Sequence, residues 1–338
     1  MLARPAVPRR VLGGLEVSAV GLGCMGMSHN YGSRDERDCI ATIHRALDLG
    51  VDLLDTADVY GDGANEQLVG RAVSDRRDRA VIATKFGMVR DGSGRQVDGR
   101  PEHARRCCES SLRRLGVETI DLYYLHRVDP TVPIEDTVGA MAELRDEGKV
   151  RHLGLSEAGA ETLERAVSVA PIAALQSEWS LWARGLEANV ASAARRLGIG
   201  IVAYCPLGRG FLTGAVRNPE DLGTDDSRRR HPRFHGENLA VNLRLTDRIA
   251  GYAQRWGVSS AQLALAWVLA RGDDVVPIVG TTRVDHLEHD LEALNLALPP
   301  SALEELGRLV DPEEWAGPRS RSGDREYGSS PPKPSFRR

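Results

Sequence analysis

The 338-residue chain is expected to fold as one closed α/β barrel of the (β/α)8 TIM type, with an N-terminal β-hairpin cap and a flexible C-terminal tail. Three features predict this. Eight short apolar runs recur between residues 18 and 298, and amphipathic segments separate them. Eight strand–helix units in series favour a closed barrel over an open doubly wound sheet. The length suits a barrel of about 250 residues with insertions, and an apolar content of 41% is ample for its core.

The elements follow in order. Residues 10–17 read as a hairpin around the two-residue turn Gly13-Gly14, placed to cap the barrel's N-terminal end. Strands are expected at 19–23, 51–55, 80–85, 120–126, 152–156, 173–176, 200–204 and 275–279. These runs are apolar on both faces, the pattern of parallel strands covered by helices. Leu163, Ala166, Val167 and Ala170 recur at helical spacing, as do Leu186, Val190, Ala193 and Leu197, the latter stopped by Gly198. Leu144 is likewise followed by Gly148, just before the fifth strand. A helix over 284–294 follows strand eight. Residues 213–240, rich in Arg, Asp, Gly and Pro, interrupt the alternation after strand seven, as a lid or a surface loop. The barrel domain is expected to span 1–312, and 313–338, without periodicity, a disordered or loosely packed tail.

A net charge of −4 gives no global attraction to nucleic acid or an anionic membrane surface. No apolar run approaches the roughly 18–20 residues that span a bilayer, and the N-terminus lacks the apolar core of a secretory leader. Five cysteines, an odd number without CxxC spacing, read as reduced thiols in a cytoplasmic protein.

The chemistry starts from a compositional oddity. Only three lysines occur against 41 arginines, and one of them, Lys85, closes the apolar run 80–86. Arg carries almost all the positive charge here, so a retained lysine points to a need for a compact ammonium. A cation ending a buried strand calls for a carboxylate, and Asp55 ends strand two, five residues before Tyr60. His126 ends strand four. Taken singly, each has a plain structural reading: Asp55 as a helix cap, Tyr60 as a loop aromatic, His126 as a satisfied strand-end histidine. Taken together they converge at one barrel mouth. There the ammonium is expected to favour the Tyr60 phenolate and lower its pKa, making a proton donor without a metal or a serine or thiol nucleophile. A hydride source must then bind. The loops after strands seven and eight carry Pro206-Leu207-Gly208-Arg209-Gly210 and Gly280-Thr281-Thr282-Arg283. Their glycines let backbone amides approach a pyrophosphate, and the helix start at 284 attracts anions.

Four motifs carry a family resemblance: Asp55-Thr56-Ala57-Asp58-Val59-Tyr60-Gly61, Ala83-Thr84-Lys85-Phe86-Gly87, Leu125-His126-Arg127-Val128-Asp129-Pro130 and Tyr204-Cys205-Pro206-Leu207-Gly208. In this order, over about residues 10–310, the chain resembles the aldo-keto reductase superfamily, most of all its microbial and plant branch with the Leu-His-Arg-Val-Asp-Pro and Pro-Leu-Gly-Arg-Gly signatures. The resemblance implies an NAD(P)H-dependent oxidoreductase that reduces an aldehyde or ketone to an alcohol. It implies Tyr60 as general acid, Lys85 and Asp55 as the groups that tune it, and His126 as the group that orients the carbonyl. Ser156 and Gln176 would hold the nicotinamide carboxamide, Tyr204 would stack on the ring, and the 206–210 loop would clasp the pyrophosphate. Gly23, Cys24, Met25, Gly280, Thr281, Thr282, Arg283, His286 and Asp290 complete the implied cofactor set. Met25, Val59, Phe86, Arg127 and Trp179 would shape the pocket for a small carbonyl substrate. The family commonly has Asn after the strand-five serine, where this chain has Glu157. A Glu-Asn pair often stands near the adenine; here the positions are His289 and Asp290. An Arg three residues earlier is replaced by His286, and Arg283 is expected to take the 2′-phosphate, favouring NADPH over NADH. The alternative class is a cofactor-binding regulatory protein with little turnover, because the same fold also serves ion channels as an accessory subunit.

Overall fold

The computed structural model describes residues 7–28, 35–91 and 94–319. It opens with an antiparallel hairpin of β1 (Arg9–Leu12) and β2 (Leu15–Ser18). The barrel strands β3 (Gly21–Gly23), β4 (Leu53–Asp55) and β5 (Val81–Phe86) follow. A second hairpin, β6 (Met88–Asp91) and β7 (Gly94–Val97), then interrupts the barrel. The remaining barrel strands are β8 (Ile120–Leu125), β9 (Val150–Ser156), β10 (Ala174–Glu178), β11 (Gly200–Tyr204) and β12 (Val275–Val279). Each coincides with an expected run. Parallel pairing closes the sheet in chain order, with β12 joining β3 through Ile278↔Gly21 and Val279↔Leu22.

Two apolar layers hold this closed sheet. Inside, Leu53, Leu122, Tyr124, Val202 and Val276 pack with Leu12, Leu15 and Val17, so the hairpin plugs the N-terminal mouth as expected. Each such leucine contributes about 1.5–3 kcal/mol by leaving water. The lumen is filled so tightly that a Cβ at Gly154 would lie 2.4 Å from the Tyr124 ring. Only glycine fits there. Outside, the second faces of the strands pack under α1 (Glu36–Asp48), α2 (Ala64–Val73), α3 (Pro101–Leu115), α4 (Ile134–Asp146), α5 (Ala160–Val167) and α6 (Val190–Arg196). The ring is completed by α8 (Ser260–Leu269) and α9 (Val284–Leu291), while α7 (Gly236–Arg255) and α10 (Pro300–Leu309) pack against α8 and each other.

The structure redraws three expected segments. The 186–197 stripe is not one helix: Leu186 sits in a single turn, and the non-helical backbone of Asn189 separates it from α6. Within 213–240, Val216, Leu222, Phe234 and Leu239 are buried, and α7 already begins at Gly236. Sparse apolar anchors hidden among arginines and aspartates tie this segment down. Past residue 312 the chain still packs: Trp315 is buried, and its indole N–H donates to Leu181 O at 3.0 Å. This packing runs to Arg319, and the rest of the expected tail lies outside the described residues. Among the described residues, no helix is long and apolar enough to cross a membrane.

Candidate active site

The register of the barrel sets the site. Gly23 pairs with Asp55, Lys85 with Tyr124, Ser156 with Gln176 and Glu178 with Tyr204, so these residues share one level at the C-terminal ends of the strands. A cavity of about 1130 Å³ opens there, reaching from Tyr60 and His126 to His286 and Asp290.

At its deep end Lys85 is fully buried. Its Nζ donates to Asp55 Oδ1 at 2.5 Å and to Thr56 O at 2.7 Å. The second Asp55 oxygen accepts from Gln176 Nε2 at 2.7 Å. Buried charge is tolerated here because both partners are paired and hydrogen-bonded. After β4 the chain turns sharply through Gly61 and Asp62, at φ 58° and 53°, which folds the half-buried Tyr60 back over the strand ends. Lys85 Nζ lies 5.2 Å from the Tyr60 ring centroid, and the His126 ring meets that ring edge-on at 5.8 Å and 83°. Burial would pull the Lys85 pKa down, but Asp55 and Tyr60 more than offset it, and the ammonium is held above the usual lysine value. For Tyr60 the balance runs the other way from the sequence expectation. Burial, the largest influence, pushes the phenol up, Lys85 opposes it, and the net is above the usual tyrosine value. Tyr60 therefore rests as a neutral phenol with its proton in place.

Along the cavity, Arg127 Nη1 donates to His126 O at 2.7 Å and to Ser156 Oγ at 3.1 Å, linking two strand ends. Pro206, Leu207, Arg209 and Gly210 line the wall beside Tyr204. Their turn is sharp: Gly208, Arg209 and Gly210 stand at φ 56°, 59° and 85°. Arg209 in this region is strained backbone of the kind that collects at functional sites. Beyond, Gly280, Thr281, Thr282, Arg283, His286 and Asp290 line the far end. The nearest atom to a Cβ built on Gly280 is Gly23 O at 4.0 Å, which leaves the backbone open to a close approach. Arg283 is exposed and pairs with Asp285 at 2.5 Å. Asp290 is buried, and burial pushes its carboxyl up to about 7.

Of the remaining sequence-predicted residues, Gly23, Met25, Val59, Ser156 and Gln176 line the cavity. Four do not. Phe86 is fully buried and stacks on Tyr123 at 4.9 Å. Strand alternation explains this: Lys85 points into the barrel, so Phe86 must point out. Trp179 is buried in the outer core, its indole donating to Glu187 Oε1 at 3.0 Å. Cys24 is buried with its Sγ toward Leu22 O. Gly208 shapes the turn but faces the Trp182 ring, 3.0 Å from where a Cβ would sit. The sequence reading missed Met88, Thr213, Ser227, Arg228, Arg230 and His231 as wall residues. For the five within 213–240 the run of basic residues in that segment was the available signal; Met88 had none.

Comparison with known proteins agrees with this geometry. A family model described as the aldo/keto reductase family matches residues 19–311. The chain is 47% identical to a probable aldo-keto reductase of Glycine max over 95% of both chains. Among solved structures it is similar to a glycerol dehydrogenase from Gluconobacter oxydans, with TM-score 0.82 and 31% identity, covering 91% of this chain and 97% of that one. It is also similar to an aldo/keto reductase from Klebsiella pneumoniae solved with NADP and acetate, with TM-score 0.70 and 28% identity, covering 91% and 96%.

Proposed function

The chain belongs to the aldo/keto reductase family, and from that premise we propose that it is an NADPH-dependent reductase of small aldehydes or ketones, working in the cytosol. The observation that carries the reading is the buried Lys85–Asp55 pair beneath Tyr60, opening into a long cavity. NADPH fits that cavity by the chemistry of its walls: open backbone at Gly280 for a pyrophosphate, a turn at Gly210 that faces the Arg228 guanidinium, and arginines at 209 and 283 for anionic groups. The Klebsiella pneumoniae relatives were solved with NADP or NADPH.

When bound, the reduced nicotinamide supplies a hydride to the carbonyl carbon. Tyr60 gives its proton to the carbonyl oxygen, so the product is an alcohol and the proton is regained from solvent. Lys85 stabilises the phenolate left behind, and Asp55 keeps Lys85 charged. His126, at the Tyr60 ring edge, holds the carbonyl oxygen in line with the phenol. Ser156 and Gln176 hold the carboxamide. Gln176 donates one of its two amide hydrogens to Asp55, and its carbonyl oxygen would accept from the carboxamide. Tyr204 supplies a stacking face, the 206–210 turn binds the pyrophosphate, and Arg283 exchanges Asp285 for the 2′-phosphate. Met25, Val59, Met88 and Arg127 bound the space for the substrate.

The test is direct. The purified protein with NADPH and para-nitrobenzaldehyde is expected to yield the alcohol at a rate on the order of 1–10 s⁻¹. Tight nucleotide binding without turnover across a panel of aldehydes and ketones would instead support the regulatory-subunit reading.

A further inference from the structure

Two glutamates lie buried beside the mouth, and neither belongs to the reaction. Glu157 follows Ser156 and Glu178 ends β10; their side chains are 3% and 1% exposed. Glu157 also stands at φ 55°, a region that costs any residue with a Cβ. Its carboxylate accepts from the Glu178 backbone N–H at 3.0 Å. Two buried carboxylates this close repel each other and any anion nearby unless a cation sits between them.

That cation comes from the far end of the chain. Arg319 Nη2 lies 2.7 Å from Glu157 Oε2, and its Nη1 lies 3.2 Å from Glu157 Oε1 and 3.5 Å from Glu178 Oε2. Glu178 also accepts from Trp182 Nε1 at 2.9 Å and faces Arg209 Nη2 at 3.7 Å. Burial would raise the Glu157 carboxyl, but Arg319, and then Arg127, hold it below the usual range. The segment bearing Arg319 is pinned beside the mouth. Ala316 N–H donates to Asn242 Oδ1 at 2.8 Å, and its C=O accepts from Asn242 Nδ2 at 3.0 Å. Gly317 O accepts from Arg233, and Arg319 O accepts from the His231 ring at 2.9 Å.

We propose that Arg319 is a positioning residue for the dinucleotide: by neutralising Glu157 and Glu178 it leaves Arg209 to the anionic ligand and fixes the 206–210 turn. The inference rests on the nucleotide reading above. In its absence Arg209 would answer two buried carboxylates and turn inward, from the cavity it lines to the Glu178 side. The strap and the phosphate turn are thus joined through one shared glutamate.

The test is calorimetric titration of NADP⁺, with thermal unfolding recorded alongside. Arg319→Met should weaken binding by about tenfold or more, with the loss shrinking at high salt. The triple variant Arg319→Met, Glu157→Gln, Glu178→Gln removes both charge signs together and should return to within about threefold of wild type. Should Arg319→Met fail to fold, the triple variant carries the test alone: wild-type-like affinity supports the proposal. Affinity unchanged in Arg319→Met, or a folded triple variant still about tenfold weaker, overturns it and makes the strap a structural tie only. Wild-type protein that binds no nicotinamide nucleotide overturns both this inference and the reading on which it rests.

Discussion

Two ion pairs of identical length stand at opposite ends of the cavity. Lys85–Asp55 and Arg283–Asp285 both measure 2.5 Å, but the side chains of the first are 0% and 5% exposed and those of the second 63% and 62%. Distance therefore says nothing about what each pair does. In the buried pair neither partner can find water, so breaking it strands a charge in the core. The pair is permanent and can set the behaviour of a neighbouring phenol. In the exposed pair water and salt compete with each partner, and its net worth is small. Such a pair is exchangeable, which suits an arginine whose proposed task is to leave Asp285 for a phosphate.

The largest effect should come from the group that the permanent pair serves. Tyr60→Phe removes the proton and little else, and kcat is expected to fall by about 10²–10⁴-fold. NADPH affinity, read by fluorescence titration, should stay near wild type. Comparable turnover in the variant would detach the buried pair from catalysis.

Next is the pair itself. Lys85 is fully buried, so Lys85→Arg must force a longer, planar cation into filled space. A stability loss of about 1–3 kcal/mol is expected from overpacking, with a rate loss near 10²-fold if the phenol moves by about an ångström. Chemical denaturation and the pH–rate profile check both. A variant with ordinary stability and an unchanged profile would mean that the site does not distinguish the two cations.

The same contrast explains which parts were legible in the sequence. The eight strands were readable because both faces of each are buried, which leaves continuous apolar runs. Asp55, Tyr60, Lys85 and His126 were readable as polar groups at the ends of those runs. Phe86 and Trp179 were misplaced because adjacency to a motif says nothing about facing; strand alternation turned Phe86 outward. The direction of the Tyr60 shift was hidden because depth of burial is a tertiary property, and burial outweighs the nearby ammonium. The packed segment through Arg319 was hidden because two anchors, Trp315 and Arg319, make no periodic pattern.

At the exposed end the effects should be smaller and salt-dependent. Arg283→Ala is expected to raise the NADPH dissociation constant by about tenfold and leave NADH nearly unchanged, as a charge-assisted contact to the 2′-phosphate requires. Asp285→Asn should move NADPH affinity the other way, because it removes the competing carboxylate. Equal losses for both nucleotides in Arg283→Ala would show that this arginine does not read the 2′-phosphate, and would weaken the notion of an exchangeable pair.

The smallest expected effect tests whether burial, and not position at one end of the cavity, is what separates the two regions. Asp290 stands at the exposed end but is itself buried, and its carboxyl is pushed up to about 7 from an ordinary value of 3.8. Between those values the folded state holds a proton that the unfolded chain has released, so folding stability from this group falls as pH rises. It is fully present below about 3.8 and gone above about 7. Asp58, also pushed to about 7 by burial and then by Glu66, adds a parallel dependence. Asp290→Asn should therefore reduce the slope without abolishing it. In melting experiments the variant should match wild type in acid and become the more stable protein as pH passes from about 4 to 8. A stability difference that stays constant with pH would show that Asp290 titrates like a surface carboxylate, and that the far end is exchangeable throughout.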